Sequence, residues 1–197
     1  MKIKSAVVAL ITLTLAACAT GQTAHAGFEY LHTGRGFIES ANVLKVRVSG
    51  DRMRVVGSES RRDTFHGHPY QISLAALVDG DVAVLVHAEH VADGSGASNY
   101  EDLPVAEWPT DEFRTRRSCV TLAREDISGE HDLEWLQASG YDPIGPLVLD
   151  QSFLTTADHN NEVVVSVMVK GVNCDNADIV ERALSAARAR LDVTIAQ

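Results

Sequence analysis

Ile72–Val91 reads ISLAALVDGDVAVLVHAEHV. Two apolar runs, Ile72 to Val78 and Asp81 to Val91, flank Asp79-Gly80. Asp and Gly tolerate the positive φ that a tight hairpin turn requires, so the stretch predicts a β-hairpin. Val82, Val84 and Val86 share one face of the second strand; Leu85, His87 and Glu89 share the other. Both faces are apolar near the turn, as in a strand covered on two sides. A sheet with this hairpin at its centre is the frame for the rest of the chain.

Upstream, Leu44, Val46 and Val48 alternate with Lys45, Arg47 and Ser49, the period of a half-buried strand. Gly50-Asp51 is a second turn signal. Counting outward pairs Ser49 with Arg52, Val48 with Met53 and Val46 with Val55, which brings the apolar residues of both strands to one face. The opposite face carries Lys45, Arg47, Arg52 and Arg54. Phe28 to Ala41 is ambiguous: Phe37, Ile38 and Ala41 suit a helical face, but Gly34 and Gly36 weaken it. Downstream, Ala92 to Arg117 is a long irregular stretch, and such loops are often functional. Ser118 to Ala123 reads as a short strand, and Glu162 to Lys170 as the strongest one. Ser128 begins a helix through Leu133 and Leu136 that Gly140 and Pro143 end. Asp178 and Glu181 form a cap-like start for a last helix whose stripe is Val180, Leu184, Ala187 and Leu191. The expected class is α+β: an antiparallel or mixed β-sheet with packed helices, including a C-terminal helix.

The first residues have a different grammar. Met1-Lys2-Ile3-Lys4 is basic, and Ala6 to Leu15 is apolar apart from Thr12 and Thr14. That run is shorter than the roughly 20 residues a membrane-spanning helix needs, and reads as an export signal. Leu15-Ala16-Ala17-Cys18 resembles the lipobox of bacterial lipoproteins. The resemblance implies cleavage before Cys18, a diacylglyceryl thioether on its sulfur and an acylated, palmitate-type amino group. Ala19 stands where an acidic residue commonly retains such proteins at the inner membrane. The resemblance therefore implies outer-membrane sorting, facing the periplasm, in a Gram-negative host. The expected division is 1–17 signal peptide, 18–27 lipidated Cys and flexible tether, and 28–197 one globular domain. Two or more acyl chains are needed for stable anchoring, at about 0.8 kcal/mol per buried CH₂.

Lipidation of Cys18 leaves Cys119 and Cys174. In an oxidising compartment an even pair reads as a disulfide; two unpaired core thiols is the competing reading. Charge is uneven. Residues 28 to 70 carry seven basic and five acidic side chains, whereas 71 to 197 carry eight and 22. So acidic a chain repels nucleic acid, and no nucleic-acid partner is expected.

Three groups of residues bear on chemistry. His66, His68, His87 and His90 are possible zinc ligands, but they lack any ligand-spacing motif and need tertiary folding to converge. Ser95 and Ser98 lie in a Gly-rich loop near Asp93, without a G-x-S-x-G pattern. Lys45, Arg47, Arg52 and Arg54 make a cationic face suited to anionic headgroups or an acidic partner, or simply to solvent. Acidic clusters such as Asp79 with Asp81 lack the calcium-loop pattern. The expectation is a membrane-anchored cell-envelope lipoprotein that binds or scaffolds an envelope protein or polymer, without catalytic residues or a required cofactor. The alternatives are an envelope metal-binding protein or metallohydrolase built on the four histidines, and a membrane-proximal adaptor built on the cationic face.

Overall fold

A computed structural model describes residues 27–196. The signal peptide, Cys18 and almost all of the tether lie outside the described residues. The strands are β1 (Leu31–Gly34), β2 (Phe37–Ser40), β3 (Val46–Gly50), β4 (Arg54–Phe65), β5 (His68–Asp79), β6 (Val82–Val91), β7 (Arg114–Leu122), β8 (Gly145–Thr155), β9 (Asn161–Lys170) and β10 (Leu191–Ile195). The helices are α1 (Arg124–Ile127), α2 (His131–Ala138) and α3 (Ala177–Arg188). They form a four-stranded sheet ordered β1-β2-β3-β10 and a six-stranded sheet ordered β4-β5-β6-β9-β8-β7. All pairings are antiparallel. Strand makes up 49% and helix 14%, so the molecule is more sheet-dominated than an α+β chain with packed helices, although the helix expected near its C-terminal end is present.

The central hairpin forms as the sequence predicts. Asp79 pairs with Val82, and Gly80 in the turn has φ +60°. β5, β6 and β9 are covered on both faces. Leu77, Val84, Val86, Val165 and Val167 meet Leu31, Ile38, Val46 and Val48 of the smaller sheet and Val180, Leu184 and Ala187 of α3 in one core. On the far face, Leu74, Ala76, Leu85 and Met168 pack under Leu136 of α2 and Tyr141. Apolar runs without strict alternation are what such double coverage selects.

The Leu44–Val55 hairpin does not form. Val48 pairs with Ile38 and Val193, and Arg47 with Glu39 and Thr194. Arg54 instead pairs with Val78. The turn itself is present, with the Met53 amide donating to the Gly50 carbonyl at 3.2 Å, but it is a corner between sheets. A Cβ on Gly50 would meet Met53 Sδ at 2.6 Å, so any larger residue there displaces the Met53 side chain. The apolar residues do face one core, as expected. Alternation fixes the face a residue uses and leaves its pairing partner open.

Phe28–Ala41 resolves into the β1–β2 hairpin, with Gly36 at φ +73° in its turn. α2 ends in a Schellman motif: the Gly140 amide donates to Gln137 O and the Tyr141 amide to Leu136 O, both at 3.0 Å, with Gly140 at φ +92°. The last helix starts two residues earlier than the D-x-x-E pattern places it. Asn176 is its cap, accepting from the Ile179 amide at 3.1 Å. Leu191 leaves the expected stripe and opens β10.

Cys119 and Cys174 are joined, with Cα atoms 5.5 Å apart. The bridge spans 55 residues, worth about 4 kcal/mol in the chain-entropy account. It fastens the segment before α3 to β7. Ion pairs extend the clamp: Arg117 and Arg188 both reach Asp150, which is 1% exposed, and Arg117 also meets Glu181 at 2.5 Å.

Candidate functional site

Two charged regions stand out, and they are built differently. The first is buried beneath the outer face of the larger sheet. On β6, the odd positions Leu85, His87 and Glu89 face away from the shared core, as the alternation implies. Glu89 lies directly opposite Glu162 of β9. His87 and Glu162 are 8% and 2% exposed. His87 Nε2 meets Asp132 Oδ2 of α2 at 3.0 Å, and Arg61 of β4 donates to Asp132 Oδ1 at 2.9 Å. Glu59 and Asp63 each lie 3.5 Å from Arg61, and Glu59 also pairs with His131.

The loop between β6 and β7 closes over the two glutamates. Ser98, fully buried, donates to Glu162 Oε1 at 2.8 Å. The Ser98 and Gly96 amides donate to His159 O and Asn160 Oδ1 at 3.1 and 2.8 Å. Tyr100 stacks on Phe153, their centroids 4.2 Å apart. Gly96, at φ +72°, approaches so closely that a Cβ would lie 3.0 Å from Asp158 O.

Desolvation sets the direction of titration for the two glutamates, whereas paired charges set it for His87 and Asp132. Burial, then repulsion from Glu162, pushes the Glu89 carboxyl up to about 8. Burial also raises Glu162, against hydrogen bonds from Ser98 and Tyr100. Glu162 Oε2 has no fixed donor in the geometry. Like charge in one desolvated site thus favours protonation of a member of the pair, and the two carboxyls titrate together. Burial opposes the His87 imidazolium, but the Asp132 bond and charge outweigh it, and the net displacement is upward. Asp132 is held low by His87 and Arg61 in spite of its own burial.

The second region is an open cleft of about 590 Å³ where the two sheets meet. Arg35, Phe37, Arg47, Asp51, Arg52 and Arg54 line it. It is assembled from the β1–β2 turn and the β3–β4 corner, tied together by the Gly50 amide donating to Gly36 O at 3.0 Å. Arg47 lies over the Phe37 ring at 3.8 Å and bonds Glu39 at 3.0 Å. Arg54 donates to Ser139 O at 3.1 Å. Among the described residues, Arg35, Arg52 and Arg54 have no salt bridge.

The positions singled out from sequence divide between these regions and the surface. Arg47, Arg52 and Arg54 share the cleft although they share no hairpin; Lys45 points elsewhere and donates to Ala41 O at 3.2 Å. The four histidines do not meet. His66 sits exposed in the β4–β5 turn at φ +51°, His68 pairs with Asp93 at 3.1 Å, and His90 contacts Asn160 and Asn161. His87 and His90 lie an odd number of residues apart on β6, so they use opposite faces. Among the described residues no group of three or more His, Cys, Asp or Glu side chains is placed to hold a metal ion. The Ser95 amide donates to Asp93 Oδ1 at 3.0 Å, an Asx-type turn contact. Sequence reasoning does not point to Arg35 or to the pairing of Glu89 with Glu162. Glu89 itself is visible beside His87 and His90, a carboxyl in register with apolar residues on one strand face.

No protein-family model, curated protein or solved structure matches this chain.

Proposed function

We propose that this chain is a lipid-anchored cell-envelope protein, exported by residues 1–17, acylated at Cys18, and working outside the cytoplasm as a binding or scaffolding module. The observation that carries this reading is the Cys119–Cys174 pairing. Structural disulfides persist in oxidising compartments and are rare in the cytosol, so the bridge supports the export that the N-terminal residues imply independently. No helix among the described residues is long and apolar enough to cross a membrane. In this proposal attachment rests on the acyl chains at Cys18, and Ala19 supports the outer membrane as destination.

Membrane fractionation with palmitate labelling tests the anchor. The intact chain is expected to carry label and to sediment with the outer membrane; Cys18→Ser is expected to lose the label. A labelled Cys18→Ser variant, or an unlabelled parent, would remove the claim. Thiol alkylation before reduction is expected to miss Cys119 and Cys174, and ready labelling of either would reject the oxidised state.

The membrane-proximal adaptor is the second reading, favoured by the cleft that gathers Arg35, Arg47, Arg52 and Arg54. The metalloprotein reading draws less support, because His66, His68, His87 and His90 are dispersed.

A further inference from the structure

We propose that the arginine cleft is a binding site for a phosphomonoester group. This rests on the adaptor reading above and goes further by naming what the cleft holds. Four guanidinium groups line it, against the single carboxylate of Asp51. Glu39, just outside the lining, already pairs with Arg47 at 3.0 Å, so two positive charges are left without a counterpart. A carboxylate or phosphodiester ligand would neutralise one of them. A phosphomonoester carries about −1.5 to −2 charge at pH 7 and three acceptor oxygens, and so offsets most of the excess.

The geometry also separates holding from gripping. Arg47 is fixed by Glu39 and the Phe37 ring, and Arg54 by the Ser139 carbonyl. Those two are oriented before any ligand arrives. Arg35 and Arg52 lie at the tips of the two turns, exposed and without a carboxylate partner among the described residues. They are the groups a ligand must satisfy. Guanidinium forks match phosphate oxygens in bidentate fashion, which an ammonium does not, and this cleft contains no lysine. Its volume of about 590 Å³ exceeds a bare phosphate and falls within the range of small-ligand sites, so the group arrives on a larger body. That body is either a lipid headgroup or a soluble phosphorylated molecule.

All of both sheets and their core lie within 27–196, so the lipid-free chain from Ala19 onward contains the whole fold. We would titrate it at about 0.15 M salt, where exposed long-range attraction is largely screened. The probes are glucose 1-phosphate, phosphatidylcholine vesicles containing phosphatidic acid, and the same vesicles containing phosphatidylglycerol. The proposal expects binding to one or both monoesters, at least tenfold weaker for phosphatidylglycerol. The double variant Arg35→Ala/Arg52→Ala should lose at least tenfold in affinity with unchanged circular dichroism. Arg52→Lys should recover only part of a single-site loss, and Arg116→Ala, away from the cleft, none of the effect. Saturable binding of glucose 1-phosphate assigns a soluble source; binding of phosphatidic acid vesicles alone assigns a lipid one. Equal binding of monoester and diester vesicles would overturn the site while leaving the general adaptor reading standing. No binding to any probe would overturn both, and neither result touches the palmitate test of the anchor.

Discussion

The cluster around Glu89 and Glu162 and the arginine cleft both concentrate charge and use it in opposite ways. Around Glu89 and Glu162 the charges are largely answered from within the chain: Asp132 by His87 and Arg61, Glu162 by Ser98. Arg61 Nε and Nη1 make no hydrogen bond but lie 3.5 Å from the Asp63 and Glu59 carboxylates, and Glu162 Oε2 stays without a donor. The cleft answers Arg47 and Arg54 and leaves the two turn-tip guanidiniums to solvent. The first arrangement contributes to stability and specifies where a loop sits. The second contributes little to stability and remains available to something outside the chain. Local charge density therefore says less about function than whether the charge is already compensated.

That contrast can be broken from its strong side first. Asp132→Ala strips His87 and Arg61 of their shared partner, and should cost about 3 kcal/mol in urea unfolding. A loss below about 1 kcal/mol would mean that Glu59 and Asp63 already suffice for Arg61.

The pH dependence sharpens it next. Glu89 is raised from 4.5 to about 8, so between those values the folded chain keeps a proton that the unfolded chain has released. Stability should fall as pH rises through that window, by up to about 1.4 kcal/mol per pH unit. His87, raised above 6.5, adds loss of the same sign as pH climbs through its folded value. Asp132 works the other way: held below 3.8, it contributes stability that disappears in acid. Glu89→Gln should flatten the slope between pH 5 and 8, as measured by denaturant midpoints. An unchanged slope would place the titration elsewhere.

A smaller effect separates the loop from the sheet. Ser98→Ala removes the donor to Glu162 Oε1, and should cost about 1–3 kcal/mol with loss of amide protection around Gly96 and Ser98. Loss of protection confined to β6 and β9 would show that the loop is held by Tyr100 on Phe153 instead. The smallest stability effect belongs to the cleft. Arg52→Ala should leave unfolding within about 0.5 kcal/mol of the parent, since no described partner loses a bond. A large destabilisation would show that the guanidinium is structural after all.

What could be read from the chain follows the same physics. Asp79-Gly80 between two apolar runs predicts a turn and a central position, because local chemistry specifies both. The Val180, Leu184 and Ala187 stripe was legible for a similar reason: helix faces repeat within a few residues. Val46 and Val48 show their face equally well, yet of the partners expected for them Val55 joins another sheet and Met53 stays in the corner between the two. Pairing depends on which strands meet in space, and here β3 meets the last strand of the chain. The site was legible to the same depth. Arg47, Arg52 and Arg54 stood out as an exposed basic set, while Arg35 was hidden in an ambiguous stretch and Glu162 at the start of an apolar strand. Each joins its partners only through tertiary folding.

The β3–β10 pairing also has a temporal meaning for a chain synthesised from its N-terminus. Val46–Gly50 finds β2 as soon as both have been made, whereas Leu191–Ile195 follows much later in the sequence. Until it arrives, one side of β3 has unpaired amides and carbonyls. Completion of the smaller sheet therefore waits for β10, and a chain interrupted before Leu191 would display an open β3 edge to any strand able to pair with it.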